Sequence, residues 1–113
     1  MVNDMNVKQG DIVLIDFNPN KGHEQTGKRQ ALIVSNDTFN SRCNVVLVCP
    51  ITSTDNKFPL HVQLDGRTKT KGVVLCEHIR SLDIESRGYR VLEQIPFDLL
   101  TRVIDIVNAE IEM

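Results

Sequence analysis

The chain has 113 residues, of which 41% are hydrophobic and 25% are charged, as in an ordinary globular protein. This length suits one domain over residues 1–113. The net charge of −2 argues against a non-specific nucleic-acid binder, and no apolar run reaches the roughly 18 residues of a membrane span. The first ten residues lack the basic start and apolar stretch of a secretory signal, so we expect a cytoplasmic protein without a membrane partner.

The charge is unevenly distributed along the chain. Residues 1–90 contain 12 basic and 10 acidic side chains, a net charge of +2, whereas residues 91–113 contain one basic and five acidic side chains, a net charge of −4. A polyanion is therefore expected to avoid the C-terminal segment and to approach the rest. The loop with Arg67, Lys69 and Lys71 is a candidate phosphate contact, although such loops are usually only solvated.

The three cysteines do not predict a disulfide framework, because their number is odd and their spacing irregular. Cys49 and Cys76 lie inside apolar runs and are expected to be buried, reduced thiols. Cys76 and His78 form at best half of a zinc site, and no second pair has ligand spacing. We therefore expect neither a metal nor another cofactor.

Six short strands are predicted in chain order, each an apolar or alternating run bounded by turn-forming residues. They cover residues 12–15, 31–34, 44–49, 61–64, 72–76 and 89–95. Pro50 is predicted to end the third strand, since proline cannot donate to a sheet ladder. Residues 21–28, rich in glycine and polar side chains, are predicted to form an exposed loop.

The end of the chain changes to a helical period. Apolar residues recur there at spacings of three and four with acidic residues between them, which predicts an amphipathic helix. They are Leu99, Leu100, Val103, Ile104, Val107 and Ile111. Pro96 fits the first turn of such a helix. Since few connections are long enough for helical crossovers, we predict a mainly β protein: a small, antiparallel, SH3-like barrel with a C-terminal helix packed on it.

Several blocks of sequence occur in an order that is typical of one protein family. They are GDIV at 10–13, NP at 18–19, KGHEQTGKR at 21–29, LIVSN at 32–36, VCPITS at 48–53, GVVLCE at 72–77 and IRSLD at 79–83. The most specific is the Gly-x-Glu-Gln-x-Gly-x-Arg spacing that ends at Arg29. From about Gly10 to the terminal helix, the chain resembles the MazF/PemK family of toxins.

The resemblance implies a homodimer of CcdB/PemK-type barrels that cleaves single-stranded RNA, mRNA in particular, at short sequences and without metal. It also implies a cognate antitoxin that lays a disordered, acidic segment across the RNA groove. Three positions depart from the family. Gln30 stands where proline is usual, and Leu75 and Glu77 stand where the plasmid-borne branch has arginine and aspartate. An arginine acting as the acid is thus excluded at position 75, while a carboxylate role survives at Glu77.

Metal-free RNA cleavage requires a base for the 2′-OH, an acid for the leaving 5′-oxygen, and stabilisation of charge on the phosphoryl oxygens. Arg29 has a planar, permanently charged fork that matches two phosphate oxygens. Thr52 has a hydroxyl donor at a strand end. The resemblance assigns the catalytic pair to these two positions, which must then meet in space. The alternatives are a surface ion pair at Arg29 and a turn closed by Thr52 and Ser53.

The proton carriers are less constrained by the sequence. Glu24 is our first candidate for the base, His23 is a substrate contact or the acid, and Glu77 is a third candidate. Substrate contacts are expected from His23, Gln25, Phe17, Ser53, Glu77 and Arg80. Core packing is the alternative role of Phe17.

Two other functions fit a small barrel. A CcdB-like gyrase toxin has the same fold without ribonuclease activity, but those relatives lack the Glu-Gln-x-Gly-x-Arg loop and the strand-end threonine. A non-catalytic SH3-like module needs an aromatic groove, which four Phe and one Tyr hardly supply.

Overall fold

The computed structural model describes residues 7–17, 28–54 and 59–112. Within these residues, strands and short helices alternate before a longer helix near the C-terminus. In chain order they are β1 (Asp11–Asp16), β2 (Lys28–Ile33), α1 (Asp37–Arg42), β3 (Val46–Thr52), β4 (His61–Gln63), β5 (Val73–Leu75), a 3₁₀ turn (Cys76–His78), β6 (Arg80–Leu82), α2 (Ile84–Arg87), β7 (Tyr89–Gln94) and α3 (Phe97–Ile111).

The strands form one antiparallel system in the order β4-β5-β3-β2-β1-β7, with β6 also paired to β3. This confirms the predicted antiparallel sheet followed by a C-terminal helix. In the part of the chain that the structure describes, β4 and β7 end the strand order without pairing to each other, so the barrel is not closed.

The central strands are buried on both faces. In β1, Ile12 belongs to one hydrophobic cluster, while Val13 and Ile15 belong to a second one on the other face. The buried side chains of β2 and β3 are divided between the same two clusters. The first cluster is covered by α3, which contributes Leu99, Val103 and Val107. Since successive strand side chains point to opposite faces, the runs of apolar residues in β1 and β2 follow from a sheet with a core on each side.

The structure differs from the predicted elements at β3. This strand continues through Pro50 to Thr52 and does not end at Cys49. Val46 to Val48 pair with β6 on one edge, and Ile51 and Thr52 pair with β5. Pro50 lies where β3 exchanges one partner for the other, a position that tolerates a missing backbone donor.

Two short helices, α1 and α2, were not predicted, and the short strand β6 was expected only because residues 79–83 resemble a strand of the family. Each spans six residues or fewer, which is too short for a hydrophobic period to be recognised. Side-chain caps begin both helices, because Asn36 accepts a hydrogen bond from the Phe39 backbone and Asp83 accepts one from the Ser86 backbone.

Cys49 and Cys76 are free thiols, and their predicted burial is confirmed. Burial raises the pKa of both thiols, that of Cys76 to about 12. Among the described residues, no helix combines the length and the apolar character needed to cross a membrane.

Gly72 allows β5 to lie close to the end of β3. Its φ is +119°, a region that L side chains rarely adopt, and a Cβ on it would lie 2.1 Å from the carbonyl oxygen of Thr52. The adjacent pair Thr52–Val73 is part of the β3–β5 ladder. A side chain at this position would therefore displace the strand end that carries Thr52.

We expect Gly72→Ala to destabilise the protein by at least about 1–3 kcal/mol, the cost of the backbone conformation alone. Urea unfolding measures the change. Gly66→Ala is the matched control, because a Cβ there has nothing within 4 Å and should change stability by less than about 0.5 kcal/mol. Equal stability of the two variants would contradict the packing described at Gly72.

Candidate active site at the ends of β2 and β3

The pairing of β2 with β3 brings the two predicted catalytic positions to one end of the sheet. Ala31 lies opposite Pro50, and Leu32 lies opposite Cys49. If this antiparallel register is continued by two residues beyond Ala31 and Pro50, Arg29 lies opposite Thr52. Residues 23 positions apart in the chain thus become neighbours across the strand pair.

A shallow pocket of about 350 Å³ lies at this strand end, and both Arg29 and Thr52 line it. Its other lining residues are Leu14, Lys28, Gln30, Ile51, Ser53 and Lys71. The structure therefore brings together Arg29, Thr52 and Ser53 from the set predicted by sequence. From the predicted basic loop it places Lys71 in the lining, and it adds Lys28, which was not singled out from the sequence.

The pocket is strongly cationic. Lys28, Arg29 and Lys71 line it, and no acidic residue appears in its lining as the structure describes it. Across the described ranges, none of the three cations has a carboxylate within salt-bridge distance. Arg67 is different, since Asp65 at 2.8 Å and Asp98 at 2.9 Å neutralise it. The pocket thus offers positive charge to an external anion.

The hydroxyl of Thr52 is oriented by its own backbone. Its Oγ1 accepts a hydrogen bond of 3.2 Å from the backbone N–H of Thr54, the geometry of a small side-chain turn. The hydroxyl proton is directed away from that donor and can be donated to a ligand oxygen. The predicted turn role and the donor role of Thr52 are therefore compatible.

The loop that carries Lys71 is held by a carboxylate on β7. Glu93 accepts hydrogen bonds from the backbone N–H of Lys69 at 3.1 Å and of Thr70 at 2.8 Å, and from the Thr70 hydroxyl at 2.7 Å. Burial raises the pKa of Glu93, but these hydrogen bonds and the charge of Lys69 outweigh it, and the net shift is downward. Glu93 was not singled out from the sequence, because its partners lie 23 and 24 residues away.

Phe17 serves as packing and not as an open stacking surface. It is only 3% exposed and belongs to the second hydrophobic cluster. The guanidinium carbons of Arg29 and Arg80 lie 5.6 and 4.9 Å from the centre of its ring. The ring thus attracts both cations through its π system, and both arginines share it as a contact.

Glu77 lies elsewhere in the described chain. Its Oε2 is 3.0 Å from Nε2 of His61 and 3.7 Å from Nε2 of His78, and Glu77 does not line the pocket. Burial raises its pKa, but hydrogen bonds from its own backbone and from His61 outweigh burial and lower the pKa. This position fits a hydrogen-bonded pair with His61 of β4 better than proton transfer at Arg29.

Three predicted site residues, His23, Glu24 and Gln25, lie outside the described residues. The roles of Glu24 as the base, of His23 as a substrate contact or the acid, and of Gln25 as a substrate contact remain predictions. The described lining of the pocket contains neither a carboxylate nor an imidazole, so a proton carrier of either type would come from outside that lining.

Comparison with known proteins gives a consistent result. Residues 8–110 match the model of the PemK-like, MazF-like toxins of type II toxin–antitoxin systems. The endoribonuclease PemK of Escherichia coli is 36% identical over 102 residues, covering 87% of this chain and 77% of the relative. The endoribonuclease MazF of Staphylococcus epidermidis is 36% identical over 108 residues, covering 91% and 87%.

Solved structures share the fold. The crystal structure of MazF from Deinococcus radiodurans has a TM-score of 0.84 at 35% identity, covering 97% of this chain and 100% of that chain. A MazE–MazF structure from the same organism has a TM-score of 0.83 at 31% identity, covering 97% and 99%.

We expect Glu93→Gln to lower the stability of the protein by about 1 kcal/mol, because charge-assisted hydrogen bonds become neutral ones. The lowered pKa of Glu93 means that its contribution is complete above the ordinary glutamate value of 4.5 and is lost as the pH falls through the folded-state pKa.

Urea unfolding as a function of pH measures this effect. Stability of the variant should depend less on pH in the acidic range than that of the wild type. Glu112→Gln, at the exposed end of α3, makes the same chemical change without these partners. If the free energy of unfolding of Glu93→Gln depends on pH as that of the wild type does, the anchoring role of Glu93 is refuted.

Proposed function

Because the chain belongs to the PemK-like, MazF-like toxins of type II toxin–antitoxin systems, we propose that it is a single-domain, sequence-specific endoribonuclease. It cleaves single-stranded RNA, mRNA above all, without a metal ion, and thereby inhibits translation in the cytoplasm. The observation that carries the proposal is the joint position of Arg29 and Thr52 in one cationic pocket. The relatives named endoribonucleases support it, and they favour it over a gyrase toxin.

In this mechanism, Arg29 binds the scissile phosphate. Its guanidinium is permanently charged and presents two parallel donors to two phosphoryl oxygens. Negative charge on these oxygens grows as the 2′-oxygen attacks phosphorus, so a fixed cation stabilises the transition state more than the ground state. Contact with the Phe17 ring limits the positions that this guanidinium can adopt.

Thr52 and Lys71 complete the anion site. The Thr52 hydroxyl donates to a phosphoryl oxygen while its own oxygen accepts from Thr54. Lys71 adds a second positive charge from a loop anchored by Glu93. Side-chain cations thus supply the charge that a divalent ion supplies in metal-dependent nucleases.

The proton transfers are assigned to the segment before β2. Glu24 takes the proton of the attacking 2′-OH, and His23 in its charged form gives a proton to the departing 5′-oxygen. The 2′-oxygen forms a bond to phosphorus while the bond from phosphorus to the 5′-oxygen breaks. The products are a 2′,3′-cyclic phosphate and a 5′-OH end.

Substrate contacts are proposed for Gln25, Ser53 and Arg80. Ser53 lines the pocket beside Thr52, and Arg80 shares the Phe17 ring with Arg29. Glu77 is not included, because its carboxylate is paired with His61. An antitoxin with a disordered, acidic segment would compete for the same cationic surface, in accordance with the MazE–MazF assembly known for the Deinococcus relative.

Purified protein incubated with total RNA in EDTA should produce fragments with 5′-OH ends at a recurrent short sequence. Arg29→Ala and Thr52→Val should each lower the cleavage rate by about 10²–10³-fold, since each removes a donor at the phosphoryl oxygens. End mapping and single-turnover rates measure both effects.

Arg42→Ala is the matched control, because Arg42 is an exposed arginine in the last turn of α1, away from the pocket lining. It should cleave at the wild-type rate. Wild-type protein that leaves RNA intact in EDTA, or cleavage that survives in both site variants, would refute the proposal.

A homodimer is proposed as the active form. Its support is the resemblance of nearly the whole chain to the family. Light scattering at micromolar concentration should give twice the mass of one chain. A monomeric mass under these conditions would contradict the dimer.

A further inference from the structure

A second pocket, of about 490 Å³, lies beside the candidate active site and has no role in the mechanism above. We call it the flanking groove. It is lined by Leu14, Ile15, Asp16, Lys28, Arg87, Gly88, Tyr89 and Arg90. Leu14 and Lys28 also line the active-site pocket, so the two cavities adjoin.

The register of three strands relates the two cavities. Leu14 of β1 lies opposite Gln30 of β2 and opposite Arg90 of β7. Gln30 lines the active-site pocket and Arg90 lines the flanking groove, with Leu14 common to both. Strands in a sheet are about 4.8 Å apart, so roughly 10 Å separate the Gln30 and Arg90 backbones. A chain bound in one cavity can therefore continue directly into the other.

Arg87 holds the wall of the flanking groove in place. Its Nη1 donates to the backbone carbonyl oxygens of Asp16 at 3.0 Å and Phe17 at 2.7 Å. These hydrogen bonds join α2 to the end of β1 across 70 residues of chain. Because their donor is charged, they are stronger than neutral ones, and the groove is consequently formed before any ligand arrives.

The groove has an excess of positive charge. Lys28, Arg87 and Arg90 line it together with a single acid, Asp16. Within the described ranges, neither Lys28 nor Arg90 has a carboxylate at salt-bridge distance. Tyr89 packs against the second hydrophobic cluster with one part of its half-buried ring and lines the groove with another. Cations beside an aromatic ring are the recurrent chemistry of single-strand recognition.

We propose that the flanking groove binds the nucleotide next to the scissile phosphate, with Arg90 contacting the phosphate and Tyr89 contacting the base. This inference rests on the proposed ribonuclease function. RNA fits the groove better than an acidic peptide does, because the shared lining makes the groove a continuation of the site at which a phosphodiester would be cleaved.

Binding of uncleavable, 2′-O-methylated single-stranded RNA of increasing length tests the proposal by fluorescence anisotropy. Wild-type affinity should rise when the strand becomes long enough to span both cavities. Arg90→Ala should remove most of this rise, on the order of tenfold in Kd. It should also reduce the slope of log Kd against log salt by about 0.7, the contribution of one phosphate on a single strand.

Arg102→Ala is the matched control, because Arg102 is an exposed arginine of α3 outside both cavities. It should retain the wild-type length dependence. Arg90→Gln, which keeps most of the side-chain volume, should reproduce the loss seen for Arg90→Ala. Thermal unfolding of all variants separates lost binding from lost folding.

Three outcomes would overturn the inference. The Arg90 and Arg102 variants could show the same dependence of affinity on RNA length, or Arg90→Ala could leave the salt slope unchanged. The third is that Arg90→Ala weakens the binding of an acidic antitoxin peptide but not the binding of RNA. Failure of the proposed ribonuclease function is detected separately, as absence of cleavage of unmodified RNA by the wild type. The binding assay uses RNA that cannot be cleaved, so the two failures are distinguishable.

Discussion

The register between β2 and β3 is the constraint on which the site depends. Ala31 opposite Pro50 directs Arg29 toward Thr52 at the strand end. Both faces of these strands are buried, with Leu32 in one hydrophobic cluster and Ala31 and Ile33 in the other. A slip by one residue would exchange the two faces and mismatch both cores. Core packing therefore determines the position of two polar side chains at the strand ends.

A chain with a net charge of −2 nevertheless forms a cationic site, because the described lining of the pocket contains no acid and several acids are engaged elsewhere. Glu93 accepts backbone hydrogen bonds, Asp65 and Asp98 pair with Arg67, and Glu77 pairs with His61. The cations at the strand ends are left without such partners in the described chain. Local charge, and not net charge, decides whether an anion is attracted to this surface.

The site is held by contacts between residues that are distant in sequence. Glu93 anchors the loop of Lys71, and Arg87 anchors the end of β1 next to the Phe17 ring, on which Arg29 and Arg80 lie. Each anchor joins a charged side chain to backbone groups. Donors and cations fixed in this way need little reorganisation when a phosphate binds, which is the basis of electrostatic preorganisation.

The sequence by itself determined the antiparallel class, most strands, the terminal helix and the positions of Arg29 and Thr52. These features follow from local hydrophobic period and from residue types in a specific order. Only the tertiary structure decided that β3 passes through Pro50, that Phe17 packs under two guanidiniums, and that Glu77 pairs with His61 outside the pocket. It also revealed Glu93 and Arg87 as anchors. Their partners lie 23 to 71 residues away, and no local pattern encodes such contacts, because they arise only when the strands and the short helix α2 pack together.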